Sequence, residues 1–205
     1  MVSPTAGSGI GSPWDAALLL ADFLRTHTGT AIIHGKLVLE LGAGSHALPS
    51  CASAAAGASA VVATDKESVF PALTASLAAF RTHNPEGAPV TAATLEFGGN
   101  LKKWLGRAWG ERGAFDVLLL SELLSLTPAL YPALLKTVID VSPRVGILIA
   151  FRPREGFEWE FLDALAGAGY ALTEVARGSH GKDGFCCSEA GLEGCDALVF
   201  FAAAK

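Results

Sequence analysis

Glu40 stands two residues before the turn Gly42-Ala43-Gly44, in the run Lys36-Leu37-Val38-Leu39-Glu40-Leu41-Gly42-Ala43-Gly44-Ser45. A second acid, Asp65, ends the apolar run Ala60-Val61-Val62-Ala63-Thr64. A third, Glu122, follows Val117-Leu118-Leu119-Leu120-Ser121. Glycines at a strand-to-helix turn let a ligand approach the backbone. The helix beyond such a turn favours negative charge, such as a carboxylate. An acid ending the next strand can hold both hydroxyls of a ribose. Asp65 lies 21 residues past Gly44, the distance of one helix and one strand. The chemistry these residues suit is the binding of a nucleoside.

Gly42-x-Gly44-x-x-Ala47 also satisfies the loose dinucleotide pattern G-x-G-x-x-G/A. Two features argue against a dinucleotide. Glu40 occupies a position that is usually apolar in such strands, where it can compensate a cationic ligand or anchor the loop by accepting backbone N–H bonds. His46 and Pro49 fall in the first turn of the next helix, where a pyrophosphate needs free N–H groups and close approach.

These residues need a frame. Six apolar runs alternate with helical spacings: Leu37–Leu41, Ala60–Thr64, Val90–Leu95, Phe115–Leu120, Val145–Phe151 and Tyr170–Ala176. Helices are expected over Trp14–His27, Ala47–Ala56, Ser68–Arg81, Leu101–Ala108, Ala129–Val141 and Glu158–Ala168, with Gly29–Gly35 breaking the first. Near-continuous apolar strands separated by helices predict a mostly parallel sheet covered on both faces. Ligands bind such sheets outside the carboxyl ends of the strands. Arg177 to Cys195 shows no helical period and reads as a loop, and a last strand spans Ala197–Ala202. Two strands in succession predict an antiparallel C-terminal pair. The fold class is therefore α/β, Rossmann-like and doubly wound, with seven strands. Residues 1–13 read as a mobile tail and 14–205 as a single domain.

Composition narrows the function. Half of the 205 residues are apolar (51%) and 17% are charged, which excludes a disordered chain. The net charge of −5 and the lack of a basic stripe argue against nucleic acid as partner. No apolar run reaches the ~20 residues of a membrane span, and the first residues do not read as a secretory signal. A cytoplasmic protein is expected, with the nucleus as the alternative; no oligomeric state is assigned. His180, Cys186, Cys187 and Cys195 lack metal-ligand spacing, so no metal is expected. A G-x-S-x-G nucleophile elbow is absent.

The motifs together resemble the class I, seven-strand methyltransferases of the family-16 type, which methylate lysines and sometimes α-amino groups of proteins. The resemblance runs from Trp14 to Phe201. Trp14-Asp15-Ala16-Ala17 is similar to the family's W-[DE]-A-[AS] start. Val38 to Gly44 matches its first motif, and Leu48-Pro49-Ser50 with Gly57-Ala58 and Val61 to Asp65 matches the continuation. Leu95-Glu96-Phe97-Gly98 is similar to L-D-W-G, and Phe115-Asp116 to Ser121-Glu122 resembles F-D-L-I-L-x-[AS]-D. His46 stands in place of a third glycine, Phe97 in place of tryptophan, and Ser125 where the family carries Tyr or Phe.

The resemblance implies S-adenosylmethionine as cofactor, with S-adenosylhomocysteine as product. Cofactor contacts would fall on Trp14, Glu40, Gly42, Ala43, Gly44, Asp65, Phe97 and Ser121. Glu122 would be the catalytic acid on the acceptor side, and a protein lysine or α-amino group the acceptor. Tyr131, Phe151 or Trp14 could supply the aromatic wall that Ser125 does not. Arg152 and Arg154, after the fifth strand, either grip an acidic peptide or sit in solvent. A small-molecule N-methyltransferase and a catalytically silent interaction module are the alternatives.

Overall fold

The computed structural model describes residues 15–101, 103–104, 114–154, 156–181, 184–187 and 197–204. Trp14 and the tail before it lie outside the described residues, as does most of the helix expected over Leu101–Ala108.

Helix α1 (Asp15–Arg25) leads into α2 (His27–Ile33). Thr26 accepts a hydrogen bond from Gly29 N, so Gly29 lies inside a second helix; the expected break at Gly29 is corrected. Then come β1 (Leu37–Leu41), α3 (Leu48–Ala55), β2 (Ala60–Asp65), α4 (Phe70–His83), β3 (Val90–Thr94) and β4 (Val117–Ser121). Two 3₁₀ turns, Leu123–Ser125 and Pro128–Leu130, precede α5 (Tyr131–Val141). The chain ends with β5 (Gly146–Phe151), α6 (Phe157–Gly167), β6 (Tyr170–Gly181), β7 (Gly184–Cys187) and β8 (Ala197–Ala204).

The sheet order is β3-β2-β1-β4-β5-β8-β6-β7. The first five strands pair in parallel, and β8 runs antiparallel between β5 and β6. This is the seven-strand sheet expected, with one addition. β6 continues to Gly181 and turns back as β7, a hairpin within the segment expected to be a loop.

Alternate residues of each strand feed two cores, as the pleat requires. Val38, Val61 and Leu119 pack beneath α1, α3 and α4, while Leu39, Leu41, Leu118 and Ile149 pack beneath α5 and α6. Central strands β1, β4 and β5 are almost wholly buried. The order reverses between β1 and β4, so a crevice opens at their carboxyl ends. The Gly42–Gly44 turn follows β1 and Glu122 follows β4, which brings both to that crevice.

Candidate functional site

β1 has one polar residue, Glu40, and it is completely buried. Its Oε2 accepts hydrogen bonds from Ser50 N (3.0 Å) and Ser50 Oγ (2.5 Å), in the first turn of α3. Oε1 is buried with no hydrogen-bond partner among the described residues. Burial pushes the carboxyl up to about 7, against the pull of the Ser50 bonds and with a small push from Asp65. Of the two purposes open to Glu40 from sequence, the structure shows the anchoring of the turn, through Ser50.

The turn itself needs its glycines. Gly42 and Gly44 have φ of +63° and +65°, where side chains are strained. A Cβ on Gly42 would overlap Leu123 Cδ2, whereas one on Gly44 would meet nothing within 4 Å among the described residues. Gly42 is fixed by packing and Gly44 borders open space. Asp65 ends β2 at the same rim. Its Oδ2 accepts from Gly44 N at 2.7 Å and its Oδ1 from Lys66 N at 2.8 Å.

Across the crevice, β4 ends in Ser121 and Glu122, both buried. Ser121 Oγ has no hydrogen-bond partner among the described residues. Glu122 adopts φ +57°, held by Glu122 N donating to Ala150 O and by Ser125 donating its hydroxyl to Glu122 O at 2.6 Å. Burial pushes the Glu122 carboxyl up to about 7; Arg154 most strongly opposes this, and the Ala16 backbone N–H also favours the charged form.

A cavity of about 340 Å³ joins these groups, lined by Glu40, Gly42, Ala43, Gly44, Asp65, Phe97, Ser121 and Glu122 with Ser125, Leu126 and Leu130. Every sequence-expected site residue within the described part therefore meets in one cleft. Of the expected aromatic substitutes, Tyr131 and Phe151 do not line it. Phe151 is fully buried, and Tyr131 is buried with its hydroxyl donated to Leu124 O at 2.7 Å. Ser125, Leu126 and Leu130 stand on that side instead, and Leu130 is 40% exposed at the mouth.

Ser50, Arg154 and Glu158 are site residues that the sequence reading gave no such role. Glu158 is buried at the start of α6, and its carboxylate accepts from Arg154 N and Gly156 N, each at 3.0 Å. An acid early in a helix, just after two arginines, was the available signal.

The strand order and the glycine turn define a Rossmann-like methyltransferase fold. The methyltransferase domain of bacterial CtHen1 superposes with a TM-score of 0.61 at 14% identity, covering 90% of this chain and 98% of that one. The tRNA methyltransferase TrmK of Bacillus subtilis superposes at 0.57 and 15% identity, covering 94% and 67%. The chain belongs to the lysine methyltransferase family, whose pattern it matches over residues 3–168. It is 31% identical over 179 residues to the protein-lysine N-methyltransferase EFM3 of Chaetomium thermophilum, covering 84% of this chain. The chain spans about half the length of that curated relative (51%). Among the described residues, no helix is long and apolar enough to cross a membrane.

Proposed function

We propose that this protein is an S-adenosylmethionine-dependent N-methyltransferase acting on a protein lysine or α-amino group. The observation that carries the reading is a pair of buried oxygens without hydrogen-bond partners among the described residues, Glu40 Oε1 and Ser121 Oγ, which border one cleft together with the Glu122 carboxylate. Buried polar atoms are rarely left unpaired, so such a set marks where a ligand completes the bonding.

The residues fit the cofactor. Asp65 suits a ribose, the open face of Gly44 admits close approach, Phe97 offers an apolar ring, and Glu40 offers a carboxylate to a cationic group. When bound, the sulfonium supplies an electrophilic methyl group to a neutral amine. Lysine, with a solution pKa of ~10.4, arrives protonated. Glu122 binds the ammonium through Oε2, orients it and accepts its proton, which passes to water. The remaining contribution is positioning and exclusion of water, with no covalent role for the protein. The exposed mouth at Leu130 leaves room for an acceptor carried on a larger chain.

The test is incubation with labelled methyl donor and a cell extract, followed by mapping of the labelled residue. Labelled methyllysine or an N-methylated amino terminus, lost in Glu122→Gln, is the expected result. Label only in small molecules refutes the protein acceptor, and no label with intact cofactor binding points to a silent module.

A further inference from the structure

The two arginines after β5 are used differently. Arg152 Nη1 lies 3.3 Å from Asp15 Oδ2, with both side chains 41% exposed. Such a pair is screened and contributes little to stability. Arg154 Nη2 lies 2.7 Å from Glu122 Oε1, and the Glu122 side chain is only 6% exposed. The loop carrying Arg154 is anchored from below. The buried Glu158 carboxylate binds Arg154 N and Gly156 N, so the guanidinium reaches Glu122 from a tethered backbone. The Glu122 carboxylate is engaged asymmetrically: the Arg154 guanidinium sits against Oε1, while the side chain borders the cleft.

We propose that Arg154 is a positioning residue for the acceptor-side acid: its guanidinium, seated on Oε1, favours the ionised carboxylate and turns Oε2 toward the amine entering the cleft. This rests on the reading of Glu122 as that acid. The charged groups facing Glu122 are Arg154 and Arg152 on the loop after β5 and Asp15 at the start of α1, joined by the Ala16 N–H. Arg154 is the strongest of them that favours the charged form. The guanidinium and the acceptor amine can engage the carboxylate together, one on each oxygen. A cation so close also disfavours an ammonium beside it, which helps the acceptor reach its neutral, reactive form.

The test is carbon-13 titration of the Glu122 carboxyl in the protein alone, the signal assigned by its loss in Glu122→Gln. Arg154→Met is expected to raise the midpoint by roughly 1–3 pH units, as removal of a close opposite charge does. Arg154→Lys is expected to stay near wild type. The acid limb of kcat/KM for methyl transfer moves with the midpoint, so that Arg154→Met loses at least about five-fold at pH 7. Arg154→Gln provides a second neutral variant should the methionine variant fold poorly. A folded neutral variant that binds S-adenosylhomocysteine and shows an unshifted midpoint overturns the proposal and leaves the reading of the site intact. A Glu122→Gln protein that transfers methyl groups at the wild-type rate overturns the reading of the site itself.

Discussion

A cationic ligand that meets Glu40 Oε1 is expected to bind more tightly as the pH rises through 7. In the free protein, burial holds this carboxyl at about 7 rather than the ordinary 4.5. A positive group against the unpartnered oxygen favours the ionised form. Binding then releases a proton, because the ligand-bound protein holds fewer protons than the free one. If the bound value returns to the ordinary range, affinity at pH 6 is about tenfold weaker than at pH 8, or ~1.4 kcal/mol. About half a proton is released per ligand at pH 7. Calorimetric titration with S-adenosylmethionine at several pH values, in two buffers of different ionisation enthalpy, reads both quantities. Glu40→Gln keeps an acceptor for Ser50 and removes the titration, so its affinity is expected to be lower and flat with pH. Glu122 titrates in the same range, so Glu122→Gln is the control in which the dependence survives. A wild-type Kd that stays constant between pH 6 and 8, or a dependence that survives in Glu40→Gln, refutes the assignment.

The same burial sets a stability trend of known sign. A carboxyl whose folded value is raised binds more protons in the native state than in the unfolded one, so its contribution is full below about 4.5 and is lost as pH rises through about 7. For Glu40 that amounts to up to ~3 kcal/mol; in urea denaturation of the free protein, Glu40→Gln is expected to gain on wild type between pH 5 and pH 8. Gly42→Ala and Gly44→Ala incur the same left-handed strain of roughly 1–2 kcal/mol, but only the first meets Leu123. Gly42→Ala is therefore expected to melt lower, and Gly44→Ala to lose cofactor affinity at a smaller cost in Tm. Removal of the Ser121 hydroxyl, which has no partner among the described residues, in Ser121→Ala is expected to leave the free protein as stable or more stable by up to ~1 kcal/mol, while calorimetry shows weaker cofactor binding. A large drop in Tm would contradict this.

Much of the scaffold was legible because its signals are local. β1 was bounded at the same residues by composition alone, and Asp65 was placed at the rim by the apolar run before it. Gly42 and Gly44 announced a turn that only glycine tolerates. The β6–β7 hairpin escaped because its polar, glycine-containing sequence has no apolar alternation to reveal backbone pairing. Gly29 looked like a helix breaker; the structure instead uses it where α2 packs against the end of α1, so closely that a Cβ there would overlap Phe23 O. Asp116 read as part of a motif, yet its side chain accepts from Leu37 N and pairs with Arg144, tying the far ends of β1 and β5 to β4. The chemistry of Glu122 was the least legible. Its guanidinium partner lies in another strand's loop, and that loop is fixed by Glu158, a contact no spacing rule supplies. Another tether of the site, Ser50 to Glu40, joins residues ten apart across a strand-to-helix turn.

The most direct test of the account is calorimetric titration of wild type and Asp65→Ala with S-adenosylmethionine and S-adenosylhomocysteine. The account predicts single-site binding of both by the wild type, lost or strongly weakened in Asp65→Ala. No binding by the folded wild type, or binding unchanged in Asp65→Ala, would contradict it.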